Sequence, residues 1–248
     1  MKLAALYNVW DSEELLPHSI ESIIDHVQMV LICVQKISNY GEPNEDNEEI
    51  ILDICDMFPE NVFVYHYTPI ISNGAMWNET QKRNLLLEKA KKFQCTHFLH
   101  MDCDEMYEDF GKAKQEYIDS GSEGSVCEMF TYFKHPTLRF ENVDNYYVPF
   151  IHELFDNTSV GMHPEYPFYA DPTRRVNCTD VTLIAEKMHH FSYVRVDIER
   201  KIRNSSAKAN IERSRYLEYY NSDLKEGDFI EGFDQKLIEV ENLFNITI

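Results

Sequence analysis

The sequence predicts an α/β fold: a mostly parallel sheet flanked by helices, then a mixed, more antiparallel half, then C-terminal helices. Three observations carry this. Strand-like apolar runs alternate with helical stripes four times in the first hundred residues, the order that builds a parallel sheet by crossovers. The run Met29-Val30-Leu31-Ile32-Cys33-Val34 is apolar at every position, as expected of a strand covered on both faces. In the second half the apolar runs become short and aromatic, which suggests antiparallel additions.

The elements follow in order. Leu3 to Val9 reads as a first strand. Asp11 with Glu14 three residues on matches a capping box, ahead of a helical stripe of Leu15, Leu16, Ile20, Ile23 and Ile24. After the second strand, an acidic segment leads to a helix carrying Ile50, Ile51, Ile54 and Met57. Val62-Phe63-Val64-Tyr65 is the third strand, and residues 79–93 form a helix with Leu86, Leu87, Ala90 and Phe93 inward. The fourth strand, Thr96 to Met101, runs into Asp102-Cys103-Asp104-Glu105. Strands are then expected over residues 126–134, 146–155 and 181–187, with helices from about Asp197. No repeat or linker interrupts the chain, so residues 1–248 are read as a single domain.

Composition narrows the function. With 44% hydrophobic and 13% aromatic residues the chain packs a core and is not disordered. The 43 acidic residues outnumber the 23 basic ones for a net charge of −20, which argues against nucleic acid or anionic lipid as partners. The six cysteines contain no C-x-x-C pair and several lie in apolar runs, so reduced thiols and a cytoplasmic location are expected. The amino terminus is too poor in apolar residues for a signal peptide, and no run of 18 apolar residues provides a transmembrane segment.

Asp102 and Asp104 hold the chemical signal. Side chains at i and i+2 on extended backbone project to one side. Two carboxylates so placed suit a hard divalent cation whose remaining ligands are phosphate oxygens. Cys103 between them reads as a small apolar filler. Ligands of parallel sheets bind at the carboxyl ends of the strands. There the turn meets the loops over residues 8–11, 35–41 and 68–74.

With those residues in view, the chain resembles the GT-A glycosyltransferases, and among them the family-2-like inverting enzymes. Tyr7-Asn8-Val9-Trp10-Asp11-Ser12-Glu13 is similar to the opening loop that cups the nucleotide base. Asn73-Gly74, Arg83-Asn84 with Ala90 after it, and Phe98-Leu99-His100-Met101-Asp102-Cys103-Asp104-Glu105 resemble later family motifs in order. The resemblance covers residues 1–110 well and the remainder loosely. It implies a GT-A-like (Rossmann-like) fold, with a nucleotide-sugar half over 1–110 and an acceptor half over 111–248. One departure is the stretch Val34-Gln35-Lys36-Ile37-Ser38-Asn39-Tyr40-Gly41, which lacks the family's acidic motif and leaves Gln35, Ser38 or Asn39 for a base edge.

The resemblance implies transfer of a sugar from a nucleoside-diphosphate sugar to a glycan or other hydroxyl acceptor, with Mn²⁺ or Mg²⁺ and with inversion. Asp104 is then the direct metal ligand and Asp102 a bridge to metal or ribose, while Glu105 ligates or holds the loop. Asn8, Glu13, Gln35 and Arg83 contact the nucleotide. A histidine of the second half completes the metal shell. Since neighbours on a strand point oppositely, one of His189 and His190 faces it, and His190 is favoured. Arg195 is expected on a donor phosphate. For the general base, Glu153 ranks ahead of Asp156 and Glu128, because a charge inside an aromatic strand is uncommon unless paired or functional. Two other readings stay open: a nucleotidyltransferase, although Tyr7-Asn8-Val9-Trp10-Asp11 has neither glycine nor basic residue, and a non-catalytic carbohydrate-binding or scaffold module.

Overall fold

Four parallel strands organise the computed structural model, which describes residues 1–44, 47–58, 60–205 and 213–248. They are β1 (Leu3–Val9), β2 (Met29–Val34), β3 (Val62–His66) and β4 (His97–Asp102), in the order β4-β1-β2-β3. Every residue of β1 and β2 is buried, because helices cover both faces of the sheet. The period-two alternation of β1 divides the core. Leu3, Ala5, Tyr7 and Val9 pack with residues of α1 (Leu16–Glu21), α2 (Asn47–Met57) and α4 (Phe110–Ser120). Ala4 and Leu6 pack with Leu86, Leu87 and Ala90 of α3 (Ala75–Lys92), which covers the other face.

The strand β8 (Val148–Glu153) extends the sheet antiparallel to β4, and β6 (Gly124–Phe133) adds antiparallel to β8. A short β5 (Glu105–Tyr107) pairs antiparallel with β9 (Val181–Tyr193). The expectation of antiparallel additions needs one correction, because β9 lies parallel to β6. Both β6 and β9 run opposite to β8, so their alignment follows once β9 takes the other edge of β6. The carboxyl end also differs from an all-helical one. After α5 (Ile198–Asn204) and α6 (Arg213–Asn221) the chain forms a hairpin of β10 (Phe229–Ile230) and β11 (Gln235–Glu239), and β11 pairs with β7 (Leu138–Phe140). Gly232 (φ 92°) and Asp234 (φ 53°) turn that hairpin in the left-handed region.

The expected capping box does not form. Ser12, at φ 71°, starts a 3₁₀ turn over Glu13–Leu15 with no side-chain cap. The Asp11 carboxylate instead accepts from Arg200 Nε at 2.9 Å, since a tertiary ion pair satisfies it better than a local amide.

Three histidines are buried with their charge suppressed: burial lowers His189 to about 4 and His152 to about 3, and holds His100 well below its ordinary value. The unfolded chain, with histidines near 6.5, takes up protons first as the pH falls, so stability is lost below that value. At pH 5 the penalty is about 2 kcal/mol for each of His152 and His189, from 1.36 kcal/mol per pH unit. Urea unfolding is therefore expected to show stability dropping by roughly 4 kcal/mol or more between pH 7 and pH 5. A flat profile over that interval would show that these rings accept protons without unfolding.

Candidate active site

The carboxyl ends of the parallel strands open into a cavity of about 430 Å³, lined by residues of both halves of the chain. The sheet register explains which side chains meet there. Asn8 on β1 lies beside Asp102 on β4, and Glu105 on β5 lies opposite His190 on β9. Helix α3 presents Glu79, Lys82 and Arg83 at i, i+3 and i+4, one stripe of a helix. The loop after Ala170 supplies Asp171 and Thr173, and α5 supplies Lys201.

At the end of β4, three carboxylates meet four permanent cations. Asp102 Oδ1 is 3.1 Å from Arg83 Nη2, and Asp102 Oδ2 is 2.5 Å from Arg174 Nη2. Arg174 also grips both oxygens of Glu105, at 2.5 and 3.1 Å. The Asp102 backbone N–H donates to Glu105 Oε2 at 2.9 Å, which ties the turn to its own acid. Asp104 Oδ2 is bonded by Arg195, with Lys201 Nζ and His190 Nε2 each 3.6 Å away. Burial disfavours charge on Asp102 and Asp104. The guanidiniums of Arg174 and Arg83 outweigh it at Asp102, and Arg195 with Lys201 at Asp104, so both acids sit well below the carboxylate range. Glu105 is pushed up, because its burial exceeds what Arg174 returns.

Several buried polar atoms around the cavity have no protein partner among the described residues: both amide atoms of Asn8, Trp10 Nε1, Arg83 Nε and Nη1, and His190 Nδ1. Buried polar groups are nearly always hydrogen-bonded. Arg83 is only 2% exposed, so its unpartnered Nε and Nη1 are a costly feature unless a ligand meets them.

Asn8, Arg83, Asp102, Asp104 and His190 all line this cavity. His189 turns to the other face, with its Nδ1 2.7 Å from Tyr132 Oη and its ring against Phe130 and Phe244. Four other expectations are corrected by position. Arg195 does not line the cavity; it stands behind Asp104 and donates to the carbonyls of Phe191 and Val194. Glu13 is buried outside it, holding Arg200 at 3.0 Å and accepting from Asn44 at 3.2 Å. Gln35 donates to Ile37 O and Asn39 Oδ1 and so shapes the loop that presents Asn39 to the cavity.

Glu153 is the fourth. It pairs with His97 at the start of β4, five residues from Asp102 and so roughly 17 Å away at 3.3 Å per residue. Because β8 runs antiparallel to β4, its carboxyl end lies at the amino end of the parallel strands, away from the cavity. Asp156 is exposed on the loop beyond it, and Glu128 is paired with Lys187 at 3.0 Å.

The carboxylates of the second half that do line the cavity are Asp144 and Asp171. Asp144 accepts a hydrogen bond from Thr131 Oγ1 at 3.0 Å, and burial raises it against the opposing pull of His190 and Thr131. Asp171 accepts from the Thr173 amide and hydroxyl at 2.7 and 2.9 Å. Sequence reasoning missed Arg174, Asp144, Asp171 and Lys201, which lie on loops and a short helix without periodic signal.

The donor set suits a hard cation at one corner. Ligand atoms of Asp104, Glu105 and His190 lie within 4.8 Å of one another. Among the described residues, Asp104 Oδ1 accepts no hydrogen bond and the buried His190 Nδ1 has no partner. A cation that draws its other ligands from phosphate and water fits such a corner.

No family model and no curated protein sequence matches the chain. Among solved structures it is similar to residues 1–349 of S. aureus TarS in complex with UDP, at 15% identity and a TM-score of 0.48, over 91% of this chain and 67% of that one. The same protein in complex with UDP-GlcNAc aligns at 15% identity and a TM-score of 0.45, over 91% of this chain and 68% of that one. Mannose-1-phosphate geranyltransferase from Thermus thermophilus aligns at 14% identity and a TM-score of 0.34, over 63% of this chain and 51% of that one. Likeness at this level identifies no family. Among the described residues, no helix is long and apolar enough to cross a membrane.

Proposed function

We propose that the chain transfers a sugar from a nucleoside-diphosphate sugar to an acceptor hydroxyl, with Mn²⁺ or Mg²⁺ held by Asp104 and His190. The observation that carries this reading is Arg83, a buried guanidinium on the wall of a polar cavity whose Nε and Nη1 have no protein partner among the described residues. Guanidinium N–H groups donate well to phosphate oxygens, and these two atoms have donors to spare. Lys82 and Lys201 add further cations on the cavity wall, in a chain whose net charge is −20. Asp102, oriented by Arg83 and Arg174, offers acceptor lone pairs to a ribose hydroxyl. Asn8, Asn39 and Trp10 Nε1 supply amide and indole groups for the rest of the nucleotide.

When bound, the cation neutralises charge on the leaving diphosphate. Asp144 takes the acceptor proton as general base, and Thr131 fixes its carboxylate. Attack from the side opposite the diphosphate inverts the anomeric carbon. Tyr146, Tyr193 and Phe233 line the cavity and offer ring faces to a sugar. All six cysteines are free thiols, which fits a reducing, cytoplasmic compartment.

Thermal-shift measurements with UDP, GDP, dTDP and CMP, each with and without Mn²⁺, on wild type and Asp104→Ala, test the proposal. One diphosphate is expected to stabilise the wild type strongly only with Mn²⁺ and to lose that dependence in the variant. No shift from any nucleotide at millimolar concentration would turn the reading toward a non-catalytic module.

A further inference from the structure

We propose that the face of β6 and β9 turned away from the catalytic cavity carries a second site, which binds a neutral carbohydrate through its hydroxyl groups. This site stands apart from the reaction proposed above and does not depend on it.

Strand alternation separates the two sites. Thr131, His190 and Ser192 line the catalytic cavity, whereas Phe130, Tyr132 and His189 line a second cavity of about 330 Å³. That volume lies at the lower end for small-molecule sites.

The fold leaves hydrogen-bonding capacity unused there. His189 is 6% exposed, and its Nδ1 is held 2.7 Å from Tyr132 Oη. Among the described residues its Nε2 has no hydrogen-bond partner. The Arg139 guanidinium lies 3.7 Å from the Phe130 ring centroid, with Nη1 donating to the carbonyls of Phe140 and Glu141 at 2.8 and 3.4 Å. Its Nε and Nη2 donate to nothing among the described residues, and it forms no ion pair there, in a chain with 43 acidic residues. Burial pushes Arg139 down, with no carboxylate close enough to offset it. A desolvated cation without an acid beside it is uncommon.

The remaining wall selects the ligand class. Glu108, Glu186 and Glu241 oppose an anion, and Lys187, the other cation present, is already paired with Glu128 at 3.0 Å. Arg139 in turn opposes a cation. Val240 and Leu243, the latter 39% exposed, offer apolar surface to the C–H groups of a sugar ring. A hydroxyl both donates and accepts, so it satisfies a carboxylate, a guanidinium and either tautomer of a neutral imidazole. Adjacent hydroxyls on a pyranose present such groups in pairs, which suits the forked geometry of guanidinium and carboxylate.

Side-chain NMR tests the proposal, with the His189 ring and Arg139 Nε resonances as reporters. Wild-type protein is titrated with the methyl pyranosides of glucose, galactose, mannose and N-acetylglucosamine, and separately with glycine and with sodium sulfate. At least one glycoside is expected to shift both reporters saturably in the millimolar range, with glycine and sulfate weaker. Arg139→Met and Glu108→Gln, read at His189, should each weaken that glycoside about tenfold or more, the size of one hydrogen bond to a charged group. Glu108 is exposed, so its variant reports on the site even if Arg139→Met disturbs the packing on Phe130. Asp144→Asn, in the other cavity, should leave the glycoside affinity unchanged.

Reporters that no glycoside moves would overturn the proposal. So would shifts that persist undiminished in both variants, which would place the sugar elsewhere. A stronger response to sulfate or glycine than to every glycoside would overturn the ligand class. None of these outcomes bears on nucleotide binding at the catalytic cavity.

Discussion

Replacing Arg174 with methionine is expected to lower the unfolding free energy by about 3–5 kcal/mol, the range for removing one partner of a buried ion pair. Arg174 is 5% exposed and Glu105 is 2% exposed, so the orphaned Glu105 carboxylate has little access to water. Asp102 keeps Arg83, but among the described residues Glu105 has no other guanidinium. Its remaining bond comes from the Asp102 amide. The double variant Arg174→Met, Glu105→Gln should recover much of the loss, because the uncompensated charge is gone while an acceptor for that amide remains. Urea unfolding near pH 7 measures both. A single-variant loss below about 1 kcal/mol, the scale of a solvent-exposed pair, would mean that Arg174 is not what holds the turn.

The second large effect is on turnover. Asp144→Asn is expected to cut kcat by about 10²- to 10⁴-fold, the usual contribution of a positioned general base. The amide oxygen can still accept from Thr131, so the loop and donor binding should persist. Glu153→Gln and Asp156→Asn serve as comparisons, since both acids lie outside the cavity, and their kcat should match the wild type. Equal turnover in Asp144→Asn and wild type would remove Asp144 from the mechanism, and Asp171 would be the next carboxylate to test.

The contrast between Glu153 and Asp104 marks what this sequence reveals and what it conceals. Asp104 is readable because its meaning is local: an apolar strand, then two acids with period-two spacing. The choice of His190 over His189 uses the same alternation. Glu153 also stands out locally, as an acid at the end of an aromatic strand. Its place depends on β8 running antiparallel to β4, a long-range fact with no trace in the neighbouring residues.

Arg195 shows a subtler limit. It lies close to the site, but its guanidinium is committed to Asp104 and two carbonyls. Arg174 is the largest omission. It sits 69 residues beyond Glu105 in a loop of ordinary composition, and only folding brings the two together. The parallel strands and their helices are legible because apolar periodicity spans many residues. The β6–β9 pairing and the C-terminal hairpin are settled by which sheet edge is available.

The most direct measurement is a crystal structure of the protein grown with Mn²⁺ and the nucleoside diphosphate that stabilises it most. The account expects phosphate oxygens within hydrogen-bond distance of Arg83 Nε or Nη1, with the metal on Asp104 and His190. A nucleotide bound elsewhere, with the Arg83 N–H groups facing only water, would contradict it.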